Sequence, residues 1–231
     1  MLEALIFDVD GTLAETEDVH RRAFNDTFAA DGLPWVWSRD AYRALLGTTG
    51  GKERIARHIR EAGGDPAQVD IPALHAAKTA RYVDLMAQGE INLRPGIADL
   101  MAEARAAGLR LAVATTTSHP NVEALCKAVF GKPAEQVFDV IASGDRVAAK
   151  KPSPDIYLLA LQQMGLLPHQ AVALEDSRNG LRAAKAAGLA CCVSPGIYTQ
   201  GEDFSEADLV IDDFSALGGL SRLRRLTQDT A

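Results

Sequence analysis

The chain has 231 residues, 47% of them hydrophobic and 24% charged, a globular composition with length for one sizeable core and a smaller insert. That excludes a disordered or fibrous protein. A formal net charge of −7, with no basic run longer than a pair, excludes a nucleic-acid footprint, although local cations can still hold a small anion.

The chain opens on Leu5-Ile6-Phe7, an apolar run that Asp8 interrupts too early for a signal peptide or a membrane span. No membrane contact and a cytoplasmic location are therefore expected. The run suits a strand covered on both faces, and it delivers Asp8 and Asp10 to its carboxyl end, where open α/β sheets bind ligands. Their two-residue spacing puts both side chains on one face, and Gly11 then turns the chain. Taken alone, the two acids would serve equally well as turn caps.

Thr16 is placed to cap a helix carrying Val19, Ala23, Thr27 and Phe28, which Asp31-Gly32-Leu33-Pro34 ends. Glu17 and His20, three apart on this helix, are candidates for orienting a ligand's hydroxyls, or are ordinary surface polar residues. Ser38 caps a helix through Leu46, Gly47 to Gly51 break it, and another helix runs from Lys52 to about Ala62. The stretch Gly47-Thr48-Thr49-Gly50-Gly51-Lys52 is one residue short of a nucleotide P-loop and follows a helix, so nucleotide binding is rejected. Gly50 and Gly51 at a helix start, with Lys52 and Arg54, still suit a phosphate, the alternative being an interhelical loop with two solvated cations. After the Gly63-to-Pro66 loop, Pro72 suits the first turn of a helix reaching about Gln88. No strand signal occurs between Leu13 and Leu109.

Leu93 to Gly96 return the chain to an alternating pattern: helix 97–107, a strand running into Thr115-Thr116-Thr117-Ser118, helix 120–129 and strand 140–142. Lys150-Lys151-Pro152-Ser153-Pro154 then precedes helix 154–164. Strand 172–174 runs into Glu175-Asp176-Ser177, and helix 179–187 is closed by Gly188. Strands 190–193 and 209–211 and a helix from about Ser215 complete the chain. This predicts an α/β fold: a Rossmann-like, doubly wound parallel sheet core of residues 1–14 and 94–231, with a helical cap inserted at residues 15–93. Cys126, Cys191 and Cys192 show no metal-ligand spacing and read as buried thiols in a reducing compartment.

The four stretches at Asp8, Thr115, Lys151 and Asp176, taken in order, resemble the signature motifs of the haloacid dehalogenase superfamily over nearly the whole chain. The likeness is greatest to its capped group, which contains β-phosphoglucomutase and the CbbY-type sugar-bisphosphate phosphatases. It implies Asp8 as nucleophile, Asp10 as general acid and base, and Thr115, with Thr116 beside it, as phosphate-holding groups. Lys151 would neutralise charge. Mg²⁺ would be bound by Asp8, Asp176 and the Asp10 main-chain carbonyl, with Glu175 acting indirectly. Such a site answers a physical need, since a carboxylate attacks a phosphate dianion only once that charge is neutralised.

The cap loop points to the CbbY type, whose family substrate is xylulose 1,5-bisphosphate, a Rubisco inhibitor, with the distal phosphate near Lys52 and Arg54. A Mg²⁺-dependent phosphatase acting as a monomer on a small sugar phosphate is the expectation. Rival readings are a phosphomutase that returns the phosphoryl group to sugar, and a phospho-acceptor signalling module, which needs neither cap nor proton shuttle. Glu15, where relatives often have Asp, and Thr115, where Ser is frequent, depart from the pattern.

Overall fold

The computed structural model describes residues 1–89 and 91–228; residue 90 of the expected cap and residues 229–231 of the expected core lie outside the described residues. In chain order β1 (Ala4–Phe7) is followed by α1 (Glu17–Ala30), α2 (Arg39–Leu46), α3 (Gly51–Glu61), α4 (Ile71–Gln88) and α5 (Ile97–Ala106). Next come β2 (Arg110–Ala114), α6 (His119–Phe130), α7 (Ala134–Val137), β3 (Val140–Ala142) and α8 (Asp155–Met164). The chain ends on β4 (Ala171–Glu175), α9 (Arg178–Ala186), β5 (Ala190–Val193), β6 (Leu209–Val210) and α10 (Leu220–Leu226).

The six strands form one parallel sheet in the order β3-β2-β1-β4-β5-β6. Helices cover both faces, which is why β1 reads as a continuous apolar run: Leu5 and Phe7 pack into one core, Ala4 and Ile6 into the other. The strand order reverses direction at β1 and β4, so their carboxyl ends open on the crevice where such sheets bind ligands.

Helices α1 to α4 are inserted between β1 and β2 and have an aromatic core of their own, with Phe24, Phe28, Trp37 and Tyr42 almost wholly buried. Phe28 meets Trp37 edge-on, centroids 4.9 Å apart. Each such side chain contributes roughly 1.5–3 kcal/mol by burial, which gives the insert a core independent of the sheet. The last turns of α4 differ: Tyr82, Leu85 and Met86 join the core beneath β1. The two linkers meet where Ala14 bridges Leu93, and buried Arg94 fastens them by donating to Gly11 O (2.5 Å), Ser194 O (2.7 Å) and Pro195 O (2.9 Å).

Besides the short α7, which the sequence reading lacks, two details differ from it. Thr16 occupies the N-cap of α1, but its hydroxyl serves Asp10 instead of a helix amide. The expected last helix is split, because Gly218 (φ 70°) and Gly219 (φ 98°) end a single turn at Phe214–Leu217 before α10 begins. The three cysteines are buried and unpaired, and among the described residues no helix is long and apolar enough to cross a membrane.

Candidate active site

Parallel register between β1 and β4 pairs Phe7 with Leu174, so the next residue of each strand, Asp8 and Glu175, projects into the same crevice beside Asp176. Oxygens of the three buried carboxylates lie within 4.8 Å of one another. Lys151, from the loop before α8, donates to Asp8 Oδ1 and Glu175 Oε1, both at 2.6 Å. Tyr157 donates to the same Glu175 oxygen at 2.6 Å, while Glu175 Oε2 accepts from the Asp176 amide at 3.2 Å. Glu175 therefore sits in the acid cluster with both oxygens already engaged by protein, as a brace for Lys151. Asp176 is held by hydroxyls, Thr12 at 3.4 Å and Thr199 at 3.2 Å. Gly11 (φ 87°) passes so close that a Cβ would stand 2.3 Å from Asp176 Oδ2.

Burial pushes Asp8 up to about 8 even with Lys151 opposing it, and Glu175 adds to the rise. Asp176 is likewise raised well above the carboxylate range by burial and by the acids Asp8, Glu175 and Glu17. Burial alone would lower Lys151, but Asp8 and Glu175 hold it above its ordinary value. Three buried acids facing one ammonium ask for further positive charge. Hard carboxylate oxygens without Cys or His fit Mg²⁺.

The Asp10 carboxylate turns away from that cluster. It accepts from Thr16 Oγ1 at 2.5 Å and from His20 Nε2 at 3.0 Å, and His20 Nδ1 in turn accepts from Lys78 Nζ at 2.6 Å. An ammonium on Nδ1 fixes the tautomer, leaving the ring proton on Nε2 facing Asp10. The imidazole stacks on Tyr82, centroids 4.0 Å apart, and Lys78 lies over the rings of Phe24 and Tyr82. Burial pushes Lys78 down to about 7, with Asp10 opposing. Burial would raise Asp10, but His20, Thr16 and Lys78 hold it at about 2.

Two cavities adjoin at Asp10 and Thr116. The smaller, about 60 Å³, is lined by Asp8, Thr115, Lys151 and Asp176. The larger, about 280 Å³, is lined by a basic group of Lys52, Arg54, His75, Lys78 and Lys150, by Ser118 and Asn121, and by the acids Asp10, Glu53 and Asp145. The loop between α2 and α3 closes over the sheet, with the Thr49 hydroxyl on the Lys151 carbonyl and Asn179 donating to Gly47 O at 3.3 Å. Gly50 and Gly51 line the larger cavity at the start of α3, and Lys52 is exposed beside them. Arg54 is buried, donates to Tyr42 OH at 2.7 Å, and stacks over that ring.

Glu17 and His20 diverge. His20 serves Asp10, whereas Glu17 accepts from Tyr42 OH at 2.7 Å and lines a separate cleft with Tyr198. Sequence reasoning missed Lys78, His75, Tyr157 and Thr199. Only Lys78 had a signal: with Leu74 and Tyr82 at four-residue spacing, it is a charge in the buried stripe of α4.

A parallel sheet of this order, with an acid cluster and a lysine at the switch point and a helical insert above, defines a class. The chain belongs to the haloacid dehalogenase-like hydrolase family, whose model matches residues 2–188, and it is a phosphatase enzyme. The chain is 67% identical over 223 residues to the protein CbbY of Cereibacter sphaeroides, covering 96% of this chain and 97% of that one. A crystal structure of CbbY from Rhodobacter sphaeroides, a D10N mutant in complex with xylulose-(1,5)bisphosphate, superposes with a TM-score of 0.94. It too is 67% identical, across 96% of this chain and 99% of that one. A phosphorylated carbohydrates phosphatase of Thermotoga maritima is 31% identical over 191 residues, 81% of this chain and 82% of that protein.

Proposed function

We propose that this phosphatase hydrolyses a small sugar bisphosphate, xylulose 1,5-bisphosphate, with Mg²⁺ and through an aspartyl-phosphate on Asp8. The observation that carries the reading is the pair of cavities meeting at Asp10 and Thr116: one contains the acid cluster and Lys151, the other the basic group. A phosphate in each, joined by a short carbon chain past Asp10, is the ligand such a pair suits. The 67% identical relative crystallised with that bisphosphate supports the choice.

Asp8 attacks phosphorus while Lys151 offsets charge on the nucleophile and phosphoryl oxygens, and Thr115 with nearby amides takes up the remaining acceptors. Asp8, Asp176 and the Asp10 main-chain carbonyl would hold Mg²⁺, with Glu175 bracing Lys151 beside them. When bound, the ion supplies the positive charge that the nucleophile and phosphate together require. Asp10 protonates the departing sugar oxygen and then takes a proton from the water that cleaves the aspartyl-phosphate. His20 and Lys78 keep Asp10 ionised in the unliganded site, and an arriving dianion raises its proton affinity for the first step. Residues 15–93 act as a cap excluding water, opening at Ala14-Glu15 and Leu93 to Gly96. The buried, unpaired cysteines suit a reducing cytoplasm, and a site completed within one chain suits a monomer.

The test is phosphate release from a panel of sugar mono- and bisphosphates with Mg²⁺, with and without chelator. Xylulose 1,5-bisphosphate should be the best substrate and chelator should abolish turnover. Transfer of phosphate to sugar instead of water would replace this reading with a mutase.

A further inference from the structure

The segment from Ser194 to Thr199 leaves β5 and is held from three sides. The linkers hold its start: Arg94 donates to Ser194 O at 2.7 Å and to Pro195 O at 2.9 Å, and the Ile197 amide donates to Glu15 Oε1 at 3.2 Å. The insert holds its middle. The Tyr198 hydroxyl donates to Asp18 Oδ1 of α1 at 2.7 Å, and Arg43 of α2 donates to Ile197 O at 3.0 Å with its guanidinium over the Tyr198 ring, 5.7 Å from the centroid. That ring also meets Tyr42 edge-on, centroids 5.8 Å apart, and so extends the aromatic core of the insert. The acid cluster holds its end, where Thr199 Oγ1 lies 2.7 Å from Asp176 O and 3.2 Å from Asp176 Oδ2.

Little slack separates these contacts. The Thr199 amide donates to Gly196 O at 3.1 Å and the Gly196 amide donates to Thr199 Oγ1 at 2.9 Å, which closes residues 196–199 into one turn. A Cβ on Gly196 would stand 3.0 Å from Asp176 Oδ2, so the turn lies directly against that carboxylate. Thr199 Oγ1 has a single proton to share between the Asp176 carbonyl and carboxylate, and a shift of the turn changes how the carboxylate is held. Arg39, and after it Tyr198 and Arg21, hold Asp18 well below the usual carboxylate range against the effect of burial, so the acceptor of the Tyr198 hydroxyl stays charged. We propose that Tyr198 and Thr199 form a latch: with the insert seated on the sheet, Tyr198 bound to Asp18 holds the turn, and Thr199 thereby positions the Asp176 carboxylate for Mg²⁺. Lifting the insert draws Tyr198 from its place and loosens Asp176, so the metal is held tightest under a closed cap. This rests on the reading that Asp176 holds Mg²⁺ beneath a cap that opens.

The experiment measures Mg²⁺ binding to the metal-free protein by isothermal titration calorimetry, without substrate. Removing a group that holds a metal ligand weakens metal affinity by about 10- to 100-fold, so Thr199→Val should lose that factor and Thr199→Ser should recover most of it. Tyr198→Phe keeps the ring against Tyr42 and Arg43 and removes only the bond to Asp18, yet it should weaken Mg²⁺ by about 10-fold. Combining Tyr198→Phe with Thr199→Val should cost no more than Thr199→Val alone, since both act through one hydroxyl. Wild-type Mg²⁺ affinity in Tyr198→Phe, or losses that simply add when the two are combined, would overturn the latch. Asp176→Asn, titrated in parallel, separates the two levels of inference. Loss of Mg²⁺ binding there beside an unchanged Tyr198→Phe overturns the latch alone, whereas wild-type binding in Asp176→Asn overturns the metal site on which it rests.

Discussion

At the scale of single residues, the buried line from Lys78 through His20 to Asp10 separates two carboxylates that stand two residues apart. Burial acts on both, yet Asp8, with acids for neighbours, is driven up to about 8, and Asp10, with His20 and Lys78, is held at about 2. Such a split is how one site runs nucleophilic and acid–base chemistry side by side. Lys78→Met keeps the buried volume and removes the donor to His20 Nδ1, so the ring is free to take the other tautomer and withdraw its N–H from Asp10. Asp10 then loses a partner that favours its charged form, and its proton affinity rises. The acidic limb of the kcat–pH profile should move to higher pH, with kcat at neutral pH down by about 10- to 100-fold. An unmoved limb would leave Lys78 a packing residue. The acids and Lys151 were legible in the sequence because each follows an apolar strand or precedes a helix. His75 was not, because its place depends on how helices of the insert lean on one another, which no local pattern encodes.

At the scale of elements, the strands and most helix limits followed from apolar runs and caps, and the exceptions have local causes. The pair Gly218-Gly219 splits the last helix, and α7 is a single short turn without the periodicity that marks a helix. The approach of α9 to β4 was invisible in the sequence but is severe: a Cβ on Gly180 would lie 1.9 Å from Glu175 Oε2. Glu175 cannot yield, being fully buried and held by Lys151 and Tyr157. Gly180→Ala should therefore cost about 1–3 kcal/mol by overpacking and, by displacing the brace on Lys151, lower kcat as well. Gly165 at the end of α8 has positive φ (63°) and open space around it, so Gly165→Ala should cost about 1 kcal/mol and leave kcat intact. Urea unfolding beside steady-state kinetics reads both; equal kcat for the two variants would contradict the brace.

At the scale of the whole molecule, the proposed Mg²⁺ site would couple fold stability to metal binding through the acid cluster. Asp8 has its carboxyl at about 8 in the fold against 3.8 as a free group, so between those values the folded chain binds more protons than the unfolded one. Stability of the metal-free protein should accordingly fall as pH rises from about 4 to about 8. Mg²⁺ competes with those protons, so the rise in thermal midpoint on adding it should be larger at pH 7 than at pH 5.5. A smaller rise at pH 7 would mean that the ion binds elsewhere.

The central claim is a phosphoryl group carried on Asp8 with Asp10 moving protons on both sides of it. An aryl phosphate needs no acid for its leaving group, so in Asp10→Asn with Mg²⁺ it should still phosphorylate Asp8, while hydrolysis of the product lags for want of a base. Intact-protein mass after a rapid acid quench should show one added phosphoryl group, absent when Asp8→Asn is combined with Asp10→Asn, alongside a single burst of phenolate. Aryl turnover at the wild-type rate with no phosphoenzyme at any time would contradict the account.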